Sequence, residues 1–368
     1  MRTSLTVNKT LMTAKLVLLF FTLITVHTIA QPITTPRAAS PAATTIQTIG
    51  ISTVTVNYSR PAVKGREIWG ALVPYGWNVE GFGAQKEAPW RSGANENTVI
   101  IFSHPVKIEG INVPAGSYGL FFTINKDNSG EVVLSKDYRS WGSFWYDPAN
   151  DQLRAKIQLR DIPNTEFLTY DFINLTKNAG ELVLNWEKKQ FPVKLEFAVD
   201  EIVMANAEQE LKGPVGFTPQ GFTSAANYAL HNNINHEKAI GWIDQAIAQN
   251  NTFGARRIKA GLLKQAGKTA EGDKLIQDAM ATATEAELNV YGYQLLSEGA
   301  NDKAIEVFIL NTERHPKSAN AWDSLGEGYA TKGDKTNAIK GFKKSLSLNP
   351  AANVKANSEK YLKQLGAM

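Results

Sequence analysis

The sequence predicts an all-β antiparallel sandwich, jelly-roll-like in character, followed by an all-α solenoid of helical hairpins. Two observations carry this reading. Between Thr45 and Val199, short runs rich in β-branched and aromatic residues recur between turn signals. From Phe222 onward the hydrophobic period is helical, and eight positions repeat at a spacing of 34 residues. A length of 368 residues suits two domains, and a 43% apolar, 20% charged composition is that of a chain that buries cores.

The β runs are Ile46–Tyr58, Thr98–Phe102, Ser117–Ile124, Glu131–Ser135, Leu153–Leu159, Phe167–Leu175, Glu181–Trp186 and Phe191–Val199. Gly and Pro punctuate them, as in Pro114-Ala115-Gly116 and Asn128-Ser129-Gly130. In the seventh run Leu182, Leu184 and Trp186 share one face, and Glu181, Asn185 and Glu187 share the other. Val99 to Phe102 is apolar on both faces, as in a strand covered on both sides. One isolated sheet cannot bury so many two-sided runs, which argues for two packed sheets.

Before the β domain comes the pattern of a secretory leader. Arg2, Lys9 and Lys15 precede an apolar run from Leu16 to Ile29, and Ala30 offers a small-residue cleavage point. The run is short of the ~20 residues of a bilayer span. The expectation is an exported protein, periplasmic or secreted, with a signal peptide over 1–30 and no membrane-spanning segment in the mature chain. Residues 31–44, rich in Pro, Thr and Ala, read as a flexible leader. The β domain then occupies 45–200, a breaker-rich linker 201–221 (with a short helix allowed near Glu201–Leu211), and the helical part 222–368. There is no cysteine. That excludes a lipoprotein anchor, disulfides, a thiolate nucleophile and a thiolate metal site. Without residues 1–30 the chain carries 36 basic against 35 acidic residues, so charge makes no case for a nucleic-acid partner.

In the helical part, Leu288, Tyr291, Gly292, Leu295, Gly299, Ala304, Phe308 and Pro316 recur as Trp322, Leu325, Gly326, Tyr329, Gly333, Ala338, Phe342 and Pro350. This pattern resembles the tetratricopeptide repeat, with the clearest copies at 285–318 and 319–352. Weaker copies precede them, marked by Ala239, Ile243 and Ala246, then by Leu263, Gly267, Ile276 and Ala279. Residues 353–365 would cap the array. Such arrays present a groove, so the expected partner is a protein or peptide.

The segment from Tyr58 to Asn97 is the most unusual. It reads YSRP, KGR and IWG from Tyr58 to Gly70, then WRSGAN from Trp90 to Asn95, with PAGSY at Pro114 to Tyr118. These motifs resemble those of an uncharacterised family of exported bacterial proteins, a domain of unknown function, and the resemblance implies no activity. The stretch WNVEGFGAQKEAP, from Trp77 to Pro89, is longer than the family pattern implies.

Guanidinium forks take carboxylates or phosphates, and flat aromatic faces stack on sugars or peptides. The candidate ligand-binding residues are therefore Arg60, Lys64, Arg66, Trp69, Trp90, Arg91, Asn95, Glu96 and Tyr146, for a carbohydrate-like or anionic small ligand. The competing expectation is that the tryptophans plug the sandwich and the arginines cap carbonyls or pair with acids. A second aromatic cluster, Tyr138 to Tyr146, reads as core cover. His104 is the β domain's lone histidine. As strand neighbours, Ser103 and His104 would face opposite ways and not pair. Gly261 to Thr269 has five residues between its glycines where a phosphate loop has four, and it lies in the helical repeats. No metal or cofactor is implied, and no catalytic set is assembled. The reading is an exported binding or scaffold protein. The alternative is a hydrolase or isomerase acting on a carbohydrate-like or small anionic substrate, with Glu96 as proton-transfer acid.

Overall fold

A computed structural model describes residues 39–367. The expected secretory leader, residues 1–30, and most of the segment 31–44 lie outside the described residues.

Among the described residues, twelve strands run in order through the first half: β1 (Ala42–Ile49), β2 (Ser52–Ser59), β3 (Asn78–Val79), β4 (Glu87–Ala88), β5 (Val99–Phe102), β6 (Val106–Ile108), β7 (Ile111–Val113), β8 (Gly116–Ile124), β9 (Ser129–Ser135), β10 (Asp151–Gln158), β11 (Arg160–Ile173) and β12 (Ala179–Glu196). A six-stranded antiparallel sheet has the order β1-β2-β5-β8-β9-β10, and a four-stranded one has β11-β12-β6-β7. Strands β3 and β4 make a separate hairpin. Val54, Val56, Ile100, Phe102 and Phe122 of the first sheet share one buried cluster with Leu168, Tyr170, Leu182, Leu184 and Trp186 of the second. The two sheets thus form an open sandwich around one core. Each large apolar side chain fully removed from water there contributes roughly 1.5–3 kcal/mol.

Local chemistry moved several expected boundaries. The single run Ile46–Tyr58 is a hairpin, because Gly50 takes φ 61° and turns the chain. Strand β1 begins at Ala42, inside the segment expected to be a flexible leader. The runs at Glu181–Trp186 and Phe191–Val199 are one strand, β12, which passes through Glu187 at φ 51°.

Helix α1 (Val199–Glu210) opens the stretch expected to be a linker, and a 3-10 turn (Pro214–Phe217) follows. Four antiparallel hairpins succeed it: α2 (Pro219–Asn232) with α3 (His236–Gln249), α4 (Phe253–Gln265) with α5 (Thr269–Thr282), α6 (Glu285–Ser297) with α7 (Asn301–Arg314), and α8 (Ala319–Lys332) with α9 (Lys335–Ser347). A final helix, α10 (Ala352–Gln364), packs on the last pair.

The 34-residue period has a steric cause. A Cβ on Gly292 would lie 2.3 Å from the Phe308 ring, and one on Gly326 would lie 2.8 Å from Phe342. Glycine on one helix and phenylalanine on the next form a matched pair in both repeats. Gly299 and Gly333, at φ 76° and 88°, turn the chain between them.

The last helix is held by polar groups. Asp323, buried in α8, accepts hydrogen bonds from Ser358 and from Asn357 Nδ2 (2.8 Å). Asn357 also donates to Glu327. Burial raises both carboxyls above their usual range against the opposing effect of these donors.

Gly292→Ala is expected to cost about 1–3 kcal/mol by overpacking and to lower the melting temperature. Phe308→Leu in that background should restore part of the loss. Gly241→Ala, at a helical position with nothing within 4 Å, should be neutral or stabilising. Thermal melts of the three variants check this.

Candidate functional site

A cavity of about 460 Å³ opens at one end of the sandwich. Trp90 and Trp186 form its aromatic side; the two rings stack at 5.7 Å and 15°. Trp69 meets both edge-on at 5.8 Å, and Phe191 closes the cluster. Such pairs contribute about 0.5–1.5 kcal/mol each beyond area burial. Trp69 donates its indole N–H to Glu187 Oε2 at 3.1 Å, which uses the carboxylate at the left-handed position of β12. The opposite wall comes from the β3–β4 hairpin, which supplies Asn78, Val79, Glu80 and Ala88. This hairpin is the long stretch noted in the sequence.

Of the nine candidates, Arg66, Trp90, Arg91 and Asn95 line this cavity. Arg66 is exposed, and its Nε and Nη2 donate to the carbonyls of Val63 (3.1 Å) and Ala62 (2.5 Å). Arg91 is half-buried, stacks 4.7 Å over the Phe144 ring and donates Nη1 to the Asn95 carbonyl at 2.9 Å. Burial lowers its pKa, and the Glu80 charge opposes that shift. Asn95, at φ 62°, ties the loop to the Ser40 carbonyl at 3.3 Å. Neither Arg66 nor Arg91 makes an ion pair among the described residues. Trp186 lines the cavity although its strand alternation reads only as core, and Glu80, one of several acids that the β domain makes available, reaches the lining through the hairpin.

The other candidates lie elsewhere. Arg60 donates to the Leu168 carbonyl (3.0 Å) and Thr169 Oγ1 (2.6 Å), as the carbonyl-capping expectation had it. Lys64 sits in a tight turn at φ 48° with its side chain exposed. Glu96 is exposed and accepts from Ser59 at 3.5 Å. Tyr146 is buried in a separate cluster with Trp77 and Phe121, its hydroxyl between Asp151 (2.7 Å) and Arg154 (3.0 Å). Burial, with Asp151 second, raises its pKa.

A second concavity lies in the helical array. Two joined pockets of about 420 and 300 Å³ run between α4 and α6 and share Arg257, Tyr291 and Gln294. Phe253 and Tyr291 meet edge-on at 5.6 Å, and Val290 beside them is 68% exposed. Arg257 is half-buried, and desolvation lowers its pKa against the charges of Glu298 and Tyr291. These residues lie on the first helices of successive hairpins, a placement the 34-residue register implies but the motif positions do not name.

Residues 40–195 match the model of DUF2911, described as a protein of unknown function. The β-sandwich is a DUF2911 domain. A stretch of 59 residues is 37% identical to superkiller complex protein 3 of Mus musculus and of Homo sapiens, covering 16% of this chain and 4% of each relative. The chain therefore spans a small fraction of the length of these curated relatives. Among solved structures, the tetratricopeptide protein YrrB, described as having an unusual peptide-binding site, is 18% identical with a TM-score of 0.27, over 44% of this chain and 84% of that one. Pseudomonas aeruginosa pilF is 18% identical with a TM-score of 0.26, over 41% and 71%.

The motifs of the DUF2911 domain have local physical roles. Ser92, at φ 49° and fully buried, donates to the Leu120 carbonyl at 2.6 Å, and its own carbonyl accepts from Tyr170 (2.9 Å) and Thr98 (3.2 Å). A Cβ on Gly93 would lie 2.6 Å from Thr98 Oγ1. The Trp90–Asn95 loop is thus pinned to the core while Arg91 and Asn95 face the cavity. In the second aromatic cluster, Trp141 and Trp145 are half exposed, which corrects the core-cover reading there; Tyr146 is buried, and Tyr138 and Phe144 are covered in part.

One expectation about His104 also fails. Strand β5 ends at Phe102, and in the turn that follows Ser103 Oγ lies 2.9 Å from His104 Nδ1. Ser103 Oγ also accepts the Thr53 N–H (2.8 Å), and His104 Nε2 lies 3.4 Å from Asn206 of α1. The contact joins the domain to α1. Among the described residues no group of three His, Asp or Glu is placed to hold a metal ion.

A Cβ on Gly142 would lie 2.3 Å from the Arg91 guanidinium carbon, and Gly142 takes φ 61°. Gly142→Ala is therefore expected to displace Arg91 from Phe144. The predicted cost is about 1–3 kcal/mol from strain and lost cation–π contact, read as a drop in melting temperature.

Proposed function

We propose that this is an exported binding protein whose helical array holds an extended segment of a partner protein in the cleft between α4 and α6. The carrying observation is the pairing there of exposed Val290 with the Phe253–Tyr291 wall, beside the partly desolvated Arg257. An apolar pocket with one half-buried cation suits a peptide with an apolar anchor residue. Among the described residues no helix is long and apolar enough to cross a membrane. A second reading, supported by the convergence of Arg66, Trp90, Arg91 and Asn95 on one cavity, is that the DUF2911 domain binds a small ligand. A hydrolase or isomerase reading of that cavity rests on one lining carboxylate, Glu80, because Glu96 lies outside the lining. General acid–base pairs need two groups with separated pKa values, so binding is the better-supported reading.

Peptides selected against the purified protein from a display library are expected to bind Val290→Asp at least about tenfold more weakly, the scale of losing a buried apolar anchor. Lys355→Ala, on α10, should leave binding unchanged. Absence of selected peptides, or equal binding to Val290→Asp, would sink the reading. For export, the chain expressed in a Gram-negative host should be found in the periplasm with the intact mass of a chain beginning at Gln31; an uncleaved cytoplasmic product overturns it.

A further inference from the structure

We infer that the cavity of the DUF2911 domain binds a small organic anion, a carboxylate or a phosphate ester, with its charged oxygens at Arg66 and Arg91. This rests on the small-ligand reading above and names the ligand's chemistry.

Two observations carry it. The first is the charge. The lining holds two guanidinium groups and one carboxylate, Glu80. Arg66 keeps Nη1, and Arg91 keeps Nε and Nη2, with no acceptor among the described residues. A guanidinium fork with free N–H groups beside a cavity matches the planar oxygens of a carboxylate or phosphate. Burial of Arg91 adds to this, since a desolvated cation gains most from an anionic partner.

The second is size and shape. About 460 Å³ fits a small molecule rather than a polymer, and the half-buried Trp90 ring offers a flat face for its carbon skeleton. A neutral sugar would fill the volume but leave the excess of guanidinium charge over Glu80 uncompensated.

The test is calorimetric titration of the purified protein at low ionic strength with citrate, glucose 6-phosphate, inorganic phosphate and glucose. Each is repeated on Arg66→Gln, Arg91→Lys and Arg60→Gln. At least one anion is expected to bind, to weaken as salt is added, and to lose about tenfold or more in affinity in both cavity variants, as a lost bidentate contact would. Arg60→Gln should change nothing, because that guanidinium is held at Leu168 and Thr169. Citrate against glucose 6-phosphate separates carboxylate from phosphate recognition. Arg66 is exposed, so Arg66→Gln leaves the core intact and keeps the test decisive should Arg91→Lys disturb the Phe144 contact. Glucose binding as tightly as glucose 6-phosphate, or an anion bound equally by both cavity variants, would overturn the anion assignment and leave a small-ligand site standing. No binding by any of the four would overturn both.

Discussion

Helix α1 is the element that both halves of the chain depend on. Val199 and Ile202 are buried in the sandwich core, and Met204 is buried in the core of the first hairpins. At about 100° per residue, positions 202 and 204 point to opposite sides of a helix, so one short helix serves two cores. Polar contacts lock the same joint. Asp200 accepts from Tyr228 at 2.7 Å and pairs with Lys177 at 3.3 Å, while Lys177 reaches Asn232 at 2.8 Å. The close approach at Gly50, where a Cβ would lie 2.5 Å from Val199, belongs to this packing. A swing of one half against the other would expose apolar area at about 25 cal/mol per Å² and break these contacts together.

The cavity depends on a different constraint, the aromatic stack at the end of the sandwich. Trp186 is fixed within β12, Trp90 is clamped by paired backbone hydrogen bonds to Phe122 at 2.9 and 3.0 Å, and Trp69 bridges them. That leaves the Trp90–Asn95 loop little freedom, so Arg91 and Asn95 are presented by a rigid base. The β3–β4 hairpin completes the wall. Phe82 at its tip packs edge-on against Phe144 and Trp145, and the Ala84 N–H donates to the Phe144 carbonyl at 2.7 Å. The tryptophans therefore do both things weighed from the sequence: they plug the sandwich and they furnish one side of a cavity.

The architecture was legible because both halves obey strong periodicities. Period-two alternation marked the long strands, and a glycine–phenylalanine contact at a fixed spacing marked the last two hairpins. What escaped was set by single backbone conformations and by tertiary pairing. Gly50 at φ 61° splits one expected strand, and Glu187 at φ 51° lets one strand pass where two were read. Strands β6 and β7 span three residues each, too short for any pattern to register. The site was legible in part. Four of nine candidates meet at one cavity because they lie in loops tied to the same tryptophan stack. Tyr146 does not, since its hydroxyl is claimed by Asp151 and Arg154. Ser103 and His104 meet because β5 ends at Phe102, so the alternation of a strand no longer holds for them.

The polar docking of α10 has a geometric consequence. That helix buries Ser358 and Leu362 but turns Lys355, Lys360 and Lys363 outward, a face unsuited to stacking a further hairpin. At the other end, α1 joins the first hairpins to the sandwich. Among the described residues the four hairpins are therefore held at both ends, which guards the array against fraying there.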